Sequence, residues 1–202
     1  MTALSTARAL ALAPASPMPH RWTVAQYRDL AKSGQFHDRK TMLIDGEVYV
    51  LAMPNPPHDL ALGLTDDWLR TAFPTGFRVR NQMGFDVGTD NDPGPDLGVV
   101  RGTRVDLAGR TPTEAVLVVE VADSSLFFDV TTKAELYATA GVPEYWVIDL
   151  EHRELIVFRD PRRLAVNGHA YQTKFTRTAT ESVTPLAAAG ASVVVRELLP
   201  PA

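Results

Sequence analysis

Glu120 interrupts VLVVEVA (116–122), a run that is otherwise apolar and largely β-branched. A carboxylate almost never enters a sheet core without a partner. Two readings follow: a structural acid paired with a buried cation, or a ligand that a site requires. Asp96 opens LGVV (97–100) and Glu47 follows Asp45-Gly46 at the head of an alternating strand. If these strands are neighbours, the three carboxylates converge. Two or three oxygen ligands with open water positions suit Mg²⁺ or Mn²⁺, hard ions bound through few carboxylates. Such an ion would offset the cost of burying Glu120. Asp129 and Lys133 are four residues apart and share a helix face, and their helix leaves directly from the strand of Glu120. A lysine there can steady a developing negative charge or orient an attacking water.

Each residue also has a plainer reading. Asp96 ends the turn-rich TDNDPGPD (89–96), where turns favour aspartate. Asp129 and Lys133 could be an exposed helix pair, and Glu47 a solvated hairpin residue. His58, after a proline-rich loop, could approach a substrate or serve as a surface or capping residue. Tyr145 and Trp146 stand in EYWVIDL (144–150), a strand pattern, and read as core or dimer surface. Leu126, Val130, Leu136 and Tyr137 form one helix face and read as core. Other chemistries find no support. There is no cysteine, so disulfides, thiolate nucleophiles and cysteine-ligated zinc are excluded. The five histidines show no HExxH spacing, and GxSxG, P-loop and post-strand GxGxxG motifs are absent.

The elements that must position these residues follow from pattern. WTVAQYRDLAKSG (22–34) reads as a helix capped by Thr23 and closed by Gly34. TMLIDGEVYVLAM (41–53) reads as a hairpin around Asp-Gly, with Val48, Val50 and Ala52 on one face. PNPPH (54–58) reads as a loop, and 59–73 as a helix. FRVRNQMGFDVG (77–88) reads as one or two strands, followed by LGVVRG and the central VLVVEVA. Ser124 or Ser125 can cap a helix that runs to about Ala140 and is closed by Gly141 and Pro143. EYWVIDL and ELIVFRD form a hairpin across 151–153, and 161–200 reads as further short strands with a flexible patch at 187–191. This order predicts an α/β (α+β) fold, a mixed β-sheet flanked by helices.

GPDLGVV, LVVEVADSS and FDVTTKAELYATAGVPEYWVIDL, in that order, resemble the Uma-two family of restriction endonucleases within the PD-(D/E)XK nuclease-like superfamily, and LIDGEVYVLAMPNPPH resembles the family's opening hairpin and loop. The likeness covers roughly 22–158. It implies a restriction-endonuclease-like core, with Pro95-Asp96 as the "PD" element and Glu120 as the second acid. Where the superfamily places a lysine two residues after that acid, this chain has Ala122, and the resemblance assigns the role to Lys133. Gly94 and Ala-Asp-Ser-Ser stand where the family often has Gln and Ser-Pro-Ser-Thr. The implied activity is metal-assisted hydrolysis of a phosphodiester, with Mg²⁺ or Mn²⁺ held by Asp96, Glu120 and Glu47, and the Val121 carbonyl as a further candidate ligand. DNA is the implied partner. Arg78, Arg80, Arg101 and Arg104 flank the PD strand as candidate phosphate contacts or a solvated face, with His58 and Asp129 as further candidates for substrate contact. The alternative is a nuclease-fold protein that binds nucleic acid or a partner without cleavage.

The bulk composition bounds these readings. A chain of 202 residues that is 45% hydrophobic and 22% charged suits one globular domain, here 21–200 behind a flexible tail of 1–20. A net charge of −4 argues against a polycationic binder while allowing a local basic groove. No apolar run is long enough to span a membrane, and the N-terminus lacks a secretory pattern, so the expected location is cytoplasmic. The apolar ASVVVRELLP (191–200) is expected to pack across a two-fold axis in a homodimer.

Overall fold

The computed structural model describes residues 17–164 and 168–201. Helix α1 (Val24–Lys32) opens with a reciprocal capping box between Thr23 and Gln26. Strands β1 (Thr41–Ile44) and β2 (Glu47–Val50) form an antiparallel hairpin that is a sheet of its own. Its turn needs two left-handed residues, supplied by Asp45 (φ 49°) and Gly46 (φ 73°). Helix α2 spans Pro56–Ala72. It begins earlier than the proline-rich pattern suggested, because prolines are tolerated in a first turn whose N–H groups lack helical partners. Asn55 caps it by accepting the His58 N–H at 3.0 Å.

The main sheet has the order β3-β4-β5-β6-β7-β8, formed by Phe77–Asn81, Leu97–Arg101, Leu117–Ala122, Glu144–Asp149, Glu154–Arg163 and His169–Thr178. Only β5 and β6 pair in parallel; every other neighbour is antiparallel. A parallel pair requires a crossover, and here it is helical: α3 (Leu126–Phe128), a π-helical turn (Asp129–Lys133) and α4 (Ala134–Thr139). The result is a mixed sheet with helices on both faces.

Alternation divides the sheet. Val119 and Val121 point towards α2, among Leu69, Leu97, Trp146 and Ile148. Val118 and Ala122 point towards α4, among Tyr137, Tyr145 and Phe158. Glu120 shares this second face by period-two geometry. Tyr145 and Trp146 are both fully buried, hence core.

Several expectations change. The 77–88 segment holds one strand, which ends where Gln82 turns left-handed (φ 48°). On the face of Val48 and Val50, Val50 is 58% exposed. The 161–200 region holds one ten-residue strand, β8, and only two-residue strands β9 (Ser182–Val183) and β10 (Val193–Val194). In 191–200, Val193, Val195, Leu198 and Leu199 are buried in the chain's own core beside α2, so these side chains are spent on the fold and not on a two-fold interface. Residues 1–16 of the expected tail lie outside the described residues, and no helix among the described residues is long and apolar enough to cross a membrane.

Candidate active site

Asp96 immediately precedes β4, and Glu120 stands in β5, its antiparallel neighbour. The pairing brings the two residues side by side: the Asp96 N–H donates to Glu120 Oε2 at 3.3 Å, and the Val121 N–H donates to Asp96 Oδ2 at 3.0 Å. Lys133 reaches down from the crossover. Its Nζ lies 3.0 Å from Glu120 Oε2 and 2.9 Å from Asp129 Oδ1. All four side chains are buried.

Asp129 and Lys133, four residues apart, share the inward face of the crossover where the helix takes a π turn. Inserting an extra residue into a helix disturbs its bonding ladder, and such turns recur at functional sites. The displaced Asp129 carbonyl is satisfied by the Tyr145 hydroxyl at 3.0 Å, and Ser125 Oγ donates to Asp129 Oδ2 at 2.5 Å. One turn further on, Tyr137 donates its hydroxyl to Glu120 Oε1 at 2.7 Å.

Two more cations approach from the other side. His58, in the first turn of α2, places Nε2 3.3 Å from Asp96 Oδ2, and its buried Nδ1 has no partner among the described residues. Lys40, before β1, places Nζ 3.7 Å from Asp96 Oδ1. These groups line a cavity of about 290 Å³ whose mouth is edged by β2 and the segment after it. Asn55 Nδ2 donates to Asp123 Oδ2 at 2.7 Å and so ties the start of α2 to the end of β5 across the cavity rim.

Burial dominates the electrostatics of the site, where Asp96, Glu120 and Asp129 stand against Lys133, Lys40 and His58. Burial pushes the Glu120 carboxyl up to about 8; Lys133 pulls against this, while Asp96 and Asp129 add to it. Burial would lower the Lys133 ammonium, but Glu120 and Asp129 outweigh it and hold the ammonium above its ordinary value. Burial likewise opposes ionisation of Asp96, yet the bonds from His58 and the Val121 N–H keep its carboxyl below the usual range. The bond to Asp96 raises His58.

Among the described residues no three His, Cys, Asp or Glu side chains form a ready-made metal cage. The donor set nevertheless fits a hard ion that keeps most of its water, since Mg²⁺ is commonly bound through one or two carboxylates. Two adjoining buried carboxylates, one of which burial keeps protonated near neutrality, form such a set.

Other candidates fall elsewhere. Glu47 lies outside the cluster: its side chain is 53% exposed and pairs with Arg21 at 3.2 Å. The hairpin register puts it opposite Ile44 at the turn, whereas the other end of β2 reaches the cavity. Neither Arg78 nor Arg80 lines the cavity, nor do Arg101 and Arg104. Arg80 is spent on the Gly84 carbonyl at 3.1 Å, and Arg101 lies over the Phe77 ring. Asp129 is at the cavity floor, where Ser125 bonds its Oδ2 and its buried Oδ1 pairs with the Lys133 ammonium without a hydrogen bond. Lys40 and Tyr137 were not foreseen as site residues; a lysine before a hairpin carries no motif, and Tyr137 follows the helical apolar period.

The six-stranded mixed sheet with one helical crossover is a mixed α/β fold shared with a solved structure. The structure matches that of a putative nuclease belonging to DUF820 from Anabaena variabilis ATCC 29413, with a TM-score of 0.68 and 15% identity over 87% of this chain and 96% of that one. The chain belongs to the Uma2 family: the family model, described as "Putative restriction endonuclease", matches residues 24–196. No curated protein matches it.

Proposed function

We propose that this protein is a divalent-metal-dependent endonuclease that hydrolyses phosphodiester bonds of DNA. The observation that carries this reading is the junction of Asp96 and Glu120, one N–H···O bond apart, beneath the ammonium of Lys133. Asp96 and Glu120, with the Val121 carbonyl, would hold Mg²⁺ or Mn²⁺, which supplies a polarised phosphate and a water of lowered pKa.

The chain's own groups do the rest. Tyr137 fixes one oxygen of Glu120 and leaves the other facing Lys133. Asp129 and Ser125 hold the Lys133 stem in place from the π turn. An ammonium carries three donors, so Lys133 keeps one for the attacking water or a phosphate oxygen after pairing with both acids. It can do this from the crossover helix, without a lysine at position 122.

The test is cleavage of supercoiled plasmid and of single-stranded DNA with Mn²⁺, Mg²⁺ or EDTA, beside Glu120→Ala and Asp96→Ala. Metal-dependent cleavage that both substitutions abolish supports the proposal. Equal cleavage by wild type and variants assigns the activity to a contaminant. No cleavage with either metal leaves a nuclease-fold binding protein.

A further inference from the structure

The cavity has two unlike sides. One is the charged floor of Asp96, Glu120 and Lys133. The other is an apolar wall of Tyr49, Leu51 and Met53: the hairpin sets Tyr49 opposite Met42 and Leu51 opposite Lys40, so this face carries Lys40, and Val50 turns to the opposite one. Tyr49 continues the wall onto the crossover, where its ring meets that of Phe128 at 5.4 Å. Met53 is 75% exposed and stands outside the chain's own core. Lys40 stands at the junction of the two sides. Lys133 is bracketed by two acids, whereas among the described residues the acid paired with Lys40 is Asp96, at 3.7 Å and beyond hydrogen-bond length.

Size narrows the occupant. At about 290 Å³ the cavity lies at the lower end of small-molecule sites. It accepts one nucleotide-sized group and not the width of a duplex. A group with a flat apolar face on one side and an anion on the other is a nucleotide withdrawn from base pairing. Unpaired strands are held in this way, by a cation on the backbone and an apolar surface under the base.

We infer that the site takes a nucleotide of single-stranded DNA, its phosphate on Lys40 and its base against the wall of Tyr49, Leu51 and Met53. The inference rests on the nuclease reading for the kind of polymer, and it adds the strand state and two groups that recognise it.

The experiment measures binding of a fluorescein-labelled oligonucleotide, single-stranded or as a duplex, to the full-length protein in EDTA, where no metal-dependent cleavage occurs. Wild type binds the single strand about ten-fold more tightly than the duplex. The double substitution Leu51→Ala/Met53→Ser removes two side chains of the wall and brings the ratio to about one. Lys40→Gln weakens binding and lowers the salt slope for the single strand by about 0.7, the value of one phosphate contact; Lys40→Arg restores the slope. Equal affinity of wild type for both forms, or an unchanged ratio in the double variant, overturns the inference. So does light scattering in which the double variant turns a dimer into a monomer with the ratio unchanged, because the wall then belongs to a second copy. Plasmid cleavage with Mn²⁺ is read separately. Strand preference without cleavage removes the hydrolytic reading and keeps this one, and cleavage without strand preference does the reverse.

Discussion

Two buried glutamates in adjacent strands differ in what surrounds them. Glu144 accepts from Trp146 Nε1, from Nε and Nη2 of Arg159 and from the Leu186 N–H, all within 2.9 Å. Every lone pair has a use, and the residue is a structural clamp. Glu144→Ala strands the buried guanidinium and is expected to cost about 3–5 kcal/mol in chemical denaturation. Glu120 has a single ammonium shared with Asp129, and two other carboxylates nearby. Its surroundings are set for a cation. Tyr137→Phe deletes the hydroxyl that holds Glu120 Oε1, so Mn²⁺ affinity by calorimetry should fall about 10–100-fold, the usual loss when a ligand's supporting hydrogen bond is removed; unchanged affinity would show that Tyr137 only fills space. Asp96, Glu120 and Lys133 were legible because a charge that breaks an apolar run, or recurs at helical spacing, stands out in one dimension. Tyr137 was not, because its ring satisfies the apolar period and only the third dimension reveals where the hydroxyl goes.

At the scale of elements, the crossover positions Asp129 and Lys133: four residues apart, they share one face, and Tyr145 donates its hydroxyl to the Asp129 carbonyl there. The start of α2 is a lever on stability. Asn55→Ala removes both the cap and the tie to Asp123, with an expected loss of about 1 kcal/mol from the cap alone, read from the urea midpoint. Strong periods and punctuation made most elements legible: the hairpin at Asp-Gly, the run of β5, and the helix stop at Gly141. A π turn has no such signature, since DVTTK reads as ordinary helix. The sequence also could not tell that the hairpin forms a separate sheet, and so Glu47, reasonable as a neighbour of Asp96, ends at the turn beside Arg21.

For the molecule as a whole, the burial of Glu120 at the floor links stability to pH and to metal. The folded state holds the Glu120 proton up to about pH 8, whereas the unfolded chain releases it near 4.5. The folded state therefore binds more protons across that window, and stability must fall as pH rises through it. His58 acts in the same direction: its raised folded value gives stability that is full below 6.5 and is lost as pH rises through the folded value. Asp96 has the opposite sign, but its depressed value confines the effect to acid below its ordinary 3.8. In EDTA the melting temperature should decline from pH 5 towards pH 8 and then level off. Glu120→Gln, which mimics the protonated acid, should remove most of that decline and leave the shallower part due to His58. It should therefore melt above wild type at pH 8 while binding no Mn²⁺. Metal ligands must be deprotonated, so Mn²⁺ should raise the wild-type melting temperature little at pH 5 and most above pH 8. A wild-type profile that is flat in EDTA, or a Mn²⁺ shift independent of pH, would mean that Glu120 is a satisfied ion-pair partner of Lys133 and not a carboxyl that burial keeps protonated until a cation enters.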